Sequence, residues 1–302
     1  VYGEVSRRVP APVLFVVGGA SMYVGAALAV GLFDRLSPAA VAVLRILGAG
    51  ALLLLVVRPG KVAWSHRRLR RSLPFGVATA LMNAAFYEAI ARLPLGTAVA
   101  LEFCGPVVVA AALSRRPRDV GAVLLAAGGV ALIADVRWSG SPSGVLWALA
   151  AAALWAAYIV LGKRVASAGD GVEDMAVGFT VAAVLCSPVL FLGGSAGLAP
   201  LGDPTVLLLA VGVGVLSSVI PYGLDQVVLR RVGQARFAVL LALLPATATV
   251  IGLVLLGQLP GPAEAVGILA VVGAVLLRSR DGDEVPQTVR PNHVTDSHHP
   301  PE

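Results

Sequence analysis

Charge is what this chain has least of. Only 13% of its 302 residues are Asp, Glu, Lys or Arg, against about 25% in an ordinary soluble domain. With 58% hydrophobic residues and a mean hydropathy of +0.87, there is too little polar surface to cover a water-soluble molecule of this size. The composition points to a helical protein that crosses a membrane many times. Cysteine is almost missing: Cys104 and Cys186 each sit inside an apolar run, with no CxxC spacing. That excludes a disulfide framework and reads as two small buried hydrophobes. Histidine is scarce too. His66 stands in a basic stretch and His293, His298 and His299 near the C-terminal end, so no metal-ligand spacing falls on a helix and no metal is expected. No GxxxxGK[ST] loop and no soluble domain are present, so an ATP-driven pump is excluded and no cofactor is expected. HExxH is absent, and no Ser/His or paired-Asp set falls in the apolar runs, which leaves an intramembrane enzyme as a remote alternative. The net charge of +6 is not a nucleic-acid patch, because the basic residues are dispersed between apolar runs. Arginine far outnumbers lysine, and Ala, Val and Gly are abundant, a bias of high-GC bacterial genomes.

What is present is a series of ten apolar runs, at about 11–32, 38–57, 73–91, 95–114, 119–136, 144–163, 175–195, 205–228, 234–257 and 262–278. Each is taken as a transmembrane helix. The first is long, and further spans follow it, so it reads as a retained helix rather than a signal peptide. Residues 1–10 form a cytoplasmic lead. The segment 279–302, rich in Asp, Pro, His and Ser, is expected to be a disordered cytoplasmic tail. With the N-terminus placed in the cytoplasm, 19 Lys and Arg residues fall in inside segments. Arg35, Arg92 and Arg137 fall outside, and Arg45 lies within a span. Cytoplasmic segments carry the excess of Lys and Arg, so both termini are assigned to the cytoplasm, in a bacterial cytoplasmic membrane. The basic stretch 58–72 is read as a loop that anchors topology beside anionic membrane lipid.

The stretch that organises the rest runs Asn83-Ala84-Ala85-Phe86-Tyr87-Glu88, then Arg92-Leu93-Pro94-Leu95-Gly96, then Ala100-Leu101-Glu102-Phe103-Cys104-Gly105-Pro106. It predicts two spans joined by a tight turn, each with a carboxylate. An ionisable group inside a span is expensive and marks a functional site by default. Pro106 supplies no backbone N–H, so Glu102 lies beside a weakened helix ladder. Broken helices persist in membranes where they line a protein-walled cavity.

Two halves of five spans are visible, 11–136 and 144–278. Each has an acid near the end of its third span (Glu88, Asp225), then arginine (Arg92; Arg230, Arg231), then a fourth span broken by proline (Pro106, Pro245). An odd number of spans per half forces opposite orientations. The expectation is an all-α membrane protein of ten transmembrane helices in two inverted five-helix repeats, its site at the midplane. A monomer holds both halves of such a site.

These residues also resemble a known family. Asn83-x-x-Phe86-Tyr87, Pro94-Leu95-Gly96, Ala100-Leu101-Glu102-Phe103-x-Gly105-Pro106 and Ser114-Arg115-Arg116-Pro117 resemble the drug/metabolite transporter superfamily, and within it the EamA-type threonine/homoserine exporters. Trp155-Ala156-Ala157-Tyr158 and Leu216-Ser217-Ser218-Val219-Ile220-Pro221-Tyr222 extend the likeness, which covers about 11–278. Two places depart from it. Such exporters often carry Glu before the fourth-span proline of the second half and Gly-Glu at that span's end. Here Leu244 and Gln258 stand instead, so the second-half site is expected to lack its intramembrane acid.

Counted from the outside, Arg45 and Glu102 each lie seven or so residues into a span, about 10 Å deep. They are expected to pair. The pair either fixes two helices together, or opens to admit a zwitterion or a proton. Glu88 is either an interfacial acid reaching toward Arg92 or an outer gate. Asp225 has the same two readings on the inside, with Arg230 or Arg231 as partner. Asn83 and Tyr87 are candidate substrate or proton contacts. Trp155 and Tyr158, at i and i+3, are either core or cavity wall, and Tyr23 has the same choice. Pro106, Pro221 and Pro245 mark helix breaks, and Pro188 a kink. The function expected is secondary-active export of small polar metabolites, amino acids such as threonine or homoserine, by proton antiport. The alternative is a ten-span transporter for a nucleoside, sugar or drug-like substrate.

Overall fold

The computed structural model describes residues 9–112, 117–138, 141–166, 171–191, 199–221, 224–225, 227–228, 231–232 and 240–279. Ser114, Arg115, Arg116, Tyr222, Arg230 and nearly all of the tail lie outside the described residues.

Apolar runs with caps and prolines at their ends give helices, and among the described residues there are no strands. The α-helices are α1 (Ala11–Leu32), α2 (Pro38–Val57), α3 (His66–Ile90), α4 (Leu95–Glu102), α5 (Cys104–Ala112), α6 (Pro117–Trp138), α7 (Pro142–Ala166), α8 (Gly171–Cys186), α9 (Pro204–Gly214), α10 (Leu243–Leu256) and α11 (Pro262–Ser279). Proline opens α2, α6, α7, α9 and α11, where its missing N–H leaves nothing unpaired. Ser37 caps α2 by accepting from the Ala40 N–H at 3.2 Å. Asp203 caps α9 through the Thr205 N–H at 2.8 Å. Gly257 closes α10 at φ +64°, a backbone conformation that suits glycine.

Four helices, α1, α2, α3 and α7, are long and apolar enough to cross a membrane. Six shorter apolar helical stretches of 10–17 residues fall on the other expected runs. Several of these runs also bend or break near the expected prolines. The fourth run splits at Phe103 into α4 and α5, three residues before Pro106. The seventh passes from α8 into a 3-10 turn, Ser187–Phe191, at Pro188; the Ser187 hydroxyl donates at 2.7 Å to the Val184 carbonyl that the proline leaves without an N–H. The eighth ends α9 in a π-helical turn, Val215–Val219, just before Pro221. One boundary differs from expectation. The basic stretch 58–72 is not all loop, because α3 begins at His66 and tolerates Pro74 within it. Only Lys61–Trp64, a 3-10 turn, and the residues beside it connect α2 to α3.

Glycines let several helices meet closely in the interior, and large apolar residues cover much of the exterior. Gly76 of α3 lies so close to α8 that a Cβ there would sit 2.0 Å from the Gly178 carbonyl oxygen. Gly129 and Gly267 bring α6 and α11 together in the same way. Such close backbone approach is how membrane helices associate without a hydrophobic driving force. Meanwhile Leu208 and Val56 are 73% and 72% exposed, on an outer surface whose apolar extent exceeds what a soluble monomer presents.

Polar pairs gather at the two ends of the bundle. At one end Arg68 pairs with Asp174 at 2.5 Å and Glu173 at 3.2 Å, and Arg231 donates to the Val9 carbonyl at 2.9 Å. At the other, Arg35 pairs with Asp203 at 2.7 Å and Arg92 with Glu88. The Thr205 N–H, and then Arg35, hold the Asp203 carboxyl below the usual carboxylate range.

Candidate functional site

A cavity of about 300 Å³ lies between the two halves of the chain, at the lower bound of ordinary small-molecule sites. Its wall takes Met22 and Tyr23 from α1, Arg45 from α2, and Thr79, Met82, Asn83 and Phe86 from α3. The break between α4 and α5 adds Glu102 and Phe103. From the second half come Trp155 and Tyr158 of α7, Phe179 of α8, then Ser217, Ser218, Pro221, Asp225, Leu241 and Leu244.

Glu102 is the last residue of α4. In an unbroken helix its carbonyl would pair with the residue four places on, but that residue is Pro106. The chain turns at Phe103 and resumes as α5, which Gly105 lets lie directly on α7: a Cβ there would be 2.0 Å from the Ala152 carbonyl oxygen. That contact fixes the break, and Phe103 meets Trp155 edge-on, with ring centroids 4.8 Å apart. Trp155 is thus wall and packing residue together. Tyr158 leans on Phe75, centroids 5.0 Å apart, and Phe75 on Phe179 at 5.8 Å. Asn83 donates its side-chain amide at 2.8 Å to the Thr79 carbonyl one turn back on α3.

Arg45 and Glu102 share this cavity, but the expected ion pair does not form: among the described residues no salt bridge joins them. Arg45 instead donates through Nη2 to the Ser217 carbonyl at 3.2 Å, with its guanidinium 5.7 Å from the centre of the Tyr87 ring. The reason lies in the eighth span. An α-helix would pair Ser217 O with the N–H of residue 221, and Pro221 has none. The π-helical turn carries that carbonyl, and a charged donor at this depth finds a neutral acceptor there. Ser217 is itself tied to α1, donating to the Met22 carbonyl at 3.3 Å.

The structure therefore gathers Arg45, Asn83, Glu102, Trp155, Tyr158 and Asp225, with Tyr23 and Pro221, around one space. Tyr87 and Glu88 are not on its wall. Tyr87 is fully buried behind Arg45, its hydroxyl without a hydrogen-bond partner among the described residues. Glu88 faces Arg92, four residues on and just past the end of α3. Asp225 lacks its expected partner Arg231, which goes to Val9, and Arg230 lies outside the described residues. Pro106 and Pro245 act as breaks rather than wall residues.

The two departures from the family pattern separate. Leu244 does line the cavity, so the wall is apolar at the place where the resemblance implies an acid. Gln258 is nowhere near it: its Oε1 accepts from the Leu95 N–H at 2.8 Å and caps α4. The reading from sequence missed Ser217 as the partner of Arg45, although Pro221 four residues on was the available signal. It also missed Thr79, Met82 and Phe179, which sequence does not distinguish from core. Among the described residues no cluster of His, Cys, Asp or Glu could hold a metal.

Residues 142–280 match the EamA-like transporter family. The threonine/homoserine exporter RhtA of Escherichia coli strain K12 is 35% identical over 265 residues, 87% of this chain and 88% of that protein. RhtA of Salmonella typhimurium strain LT2 is 33% identical over 279 residues, 89% of this chain and 92% of that protein. A solved structure titled only as the crystal structure of a protein shares the fold: 20% identity, TM-score 0.56, 88% of this chain and 95% of that one. These relatives are exporters and not enzymes, and their likeness spans both halves. With its apolar helices and its polar cavity between halves, this multi-pass membrane protein belongs to the EamA-like transporter family, together with the threonine/homoserine exporters.

Proposed function

We propose that this protein exports small zwitterionic amino acids, threonine and homoserine foremost, across the bacterial cytoplasmic membrane in exchange for protons. Its ten spans would form two inverted repeats of five, with both termini in the cytoplasm. One observation carries the reading. A guanidinium and a carboxylate, Arg45 and Glu102, share the wall of one cavity without pairing with each other. Charges of opposite sign held apart in a low-dielectric wall are complementary to a zwitterion. Arg45 rests on a neutral carbonyl that a substrate carboxylate displaces, because a charge-assisted pair is the stronger bond. Glu102 then takes the ammonium group. As an anion with nothing bound it is costly, so a proton takes its place once the substrate leaves. One site that holds either substrate or proton is what antiport requires. Asn83 and Thr79 offer hydrogen-bonding atoms to a side-chain hydroxyl, and the names of the relatives agree with such a substrate.

The test is counterflow in proteoliposomes with labelled threonine, homoserine, a nucleoside and a sugar. Exchange of the two amino acids, with uptake driven by an imposed pH gradient, is expected. Exchange of the nucleoside or sugar alone would replace the amino-acid reading with the other substrate class. Amino-acid exchange indifferent to the pH gradient would remove the proton from the mechanism.

A further inference from the structure

The cavity is open between two elements that are closed against each other further along. Glu102 and Phe103 at the end of α4, and Leu241 and Leu244 at the start of α10, all line it. Toward the start of α4 the two helices touch, and the space left beside Gly96, Thr97, Thr249 and Gln258 shrinks to about 10 Å³. A Cβ on Gly96 of α4 would lie 2.2 Å from Thr249 Oγ1 and 2.8 Å from Thr249 Cα of α10, so backbone rests on backbone. The two helices form a V with its apex at the end where Arg92, Leu95 and Gln258 lie. Under the proposed orientation that end is external, and the protein is closed to the outside.

The apex is held by polar groups that the transport site does not use. Glu264, in the first turn of α11, is fully buried. One carboxylate oxygen, Oε1, accepts from the Thr97 hydroxyl of α4, and Oε2 accepts from the Gly261 N–H at 3.3 Å. Thr97 is 1% exposed. Beside it the Gln258 carboxamide takes the Leu95 N–H, the first of the helix N–H groups that no turn of α4 can satisfy. Thus α4 is fastened at its start to the α10–α11 turn and to α11 by two side chains reaching across. A buried carboxylate bonded to a hydroxyl is a costly choice if close packing were all that was needed, since an apolar pair would fill the space. Its value is that it breaks at a defined bond and leaves groups that water can satisfy.

We infer that Thr97–Glu264 and Leu95–Gln258 form a polar latch that closes the external gate, and that substrate release requires both to open as α4 swings from α10. Gly96 permits the closed state by letting the helices touch. The latch rests on the proposed function only for which side is external and for transport itself.

The experiment reads gate opening without substrate. In a background with Cys104 and Cys186 replaced by Ala, Leu95→Cys places a thiol at a fully buried position of the apex. Right-side-out vesicles are treated with a membrane-impermeant maleimide. The bond is weakened from each side by Glu264→Gln and by Thr97→Val, and the second contact by Gln258→Ala. Each variant is expected to raise the labelling rate roughly tenfold, the shift that follows from losing one hydrogen bond that exists only in the closed state. Unchanged labelling in all three, with monodisperse protein in detergent, would overturn the latch. So would faster labelling of inside-out vesicles alone. Since labelling needs no substrate, its outcome stands apart from failure of the amino-acid reading, which counterflow by the wild type reports.

Discussion

Glu102 and Arg45 sit on one wall with different partners, and the difference decides what each substitution does. Arg45 has the Ser217 carbonyl, whereas Glu102 has no ion pair among the described residues. Glu102→Gln keeps the shape and imitates the protonated acid. It is expected to abolish concentrative, pH-driven export while leaving slow exchange between two substrate-loaded sides. Glu102→Asp draws the carboxylate back by one methylene and retains part of the activity. Counterflow and gradient-driven transport measured in the same vesicles separate the two modes. A Gln variant that still concentrates substrate with unchanged pH dependence would move the proton to another acid, Asp225 first, since it shares the cavity. Sequence made Glu102, Arg45 and Asp225 visible, because a charge in an apolar run is conspicuous whatever it touches. It misjudged their pairing, because depth in a span says nothing of azimuth. Arg45 and Glu102 lie at similar depths, yet the guanidinium turns to a carbonyl that only the tertiary fold brings near. Buried acids at helix starts were less visible. Asp174 and Glu264 were not singled out from the sequence, yet they are 1% and 0% exposed.

Among the elements, the broken helices are the part most legible in sequence and the part with the most to test. Pro106 and Pro221 predicted breaks, and α4–α5 and the π-helical turn provide them. Restoring an N–H by Pro106→Ala lets the Glu102 carbonyl pair within a continuous helix, at the expense of the turn at Phe103 and of the cavity edge it forms. The amount of folded protein is expected to hold, since Pro106 stands in the first turn of α5 where a missing N–H costs little, while the transport rate falls. Folded yield by size-exclusion profile against initial rate checks this; normal transport would reduce the proline to a packing feature. The cap of α9 gives a pH test. Thr205 and Arg35 favour the Asp203 anion, so its contribution to stability is complete above the ordinary carboxylate range and is lost as pH falls through its depressed value. In Asp203→Asn the cap acceptor remains and the charge does not. Below about pH 4 wild type is therefore expected to lose more thermal stability in detergent than the Asn variant does. Parallel melting curves for the two would mean that the Arg35 contact contributes nothing. What sequence did not show at this scale is helix-to-helix proximity. Gly76 and Gly178 are two glycines among 34, and only the fold sets one against the other.

For the whole molecule, the charge pattern predicts which side is cytoplasmic, and the polar contacts bear on the number of crossings between their partners. The basic residues alternate with the apolar runs so that nearly all share one side. The contacts respect the same division. Arg68 finds Glu173 and Asp174, and Arg231 finds Val9, at the basic end; Arg35 finds Asp203, and Leu95 finds Gln258, at the other. A chain with one span fewer between residues 68 and 174 would set Arg68 and Asp174 on opposite sides, and they touch. The same holds for Arg35 and Asp203, which are 168 residues apart in sequence. Each contact thus demands an even number of crossings between its partners, and the ten-run reading satisfies every one. A reporter fused after Glu302 is therefore expected to read as cytoplasmic, and one inserted between residues 199 and 203 as external. An external C-terminus would require an odd number of crossings. That would break the proposed inverted repeat, in which two halves of five spans must run in opposite directions.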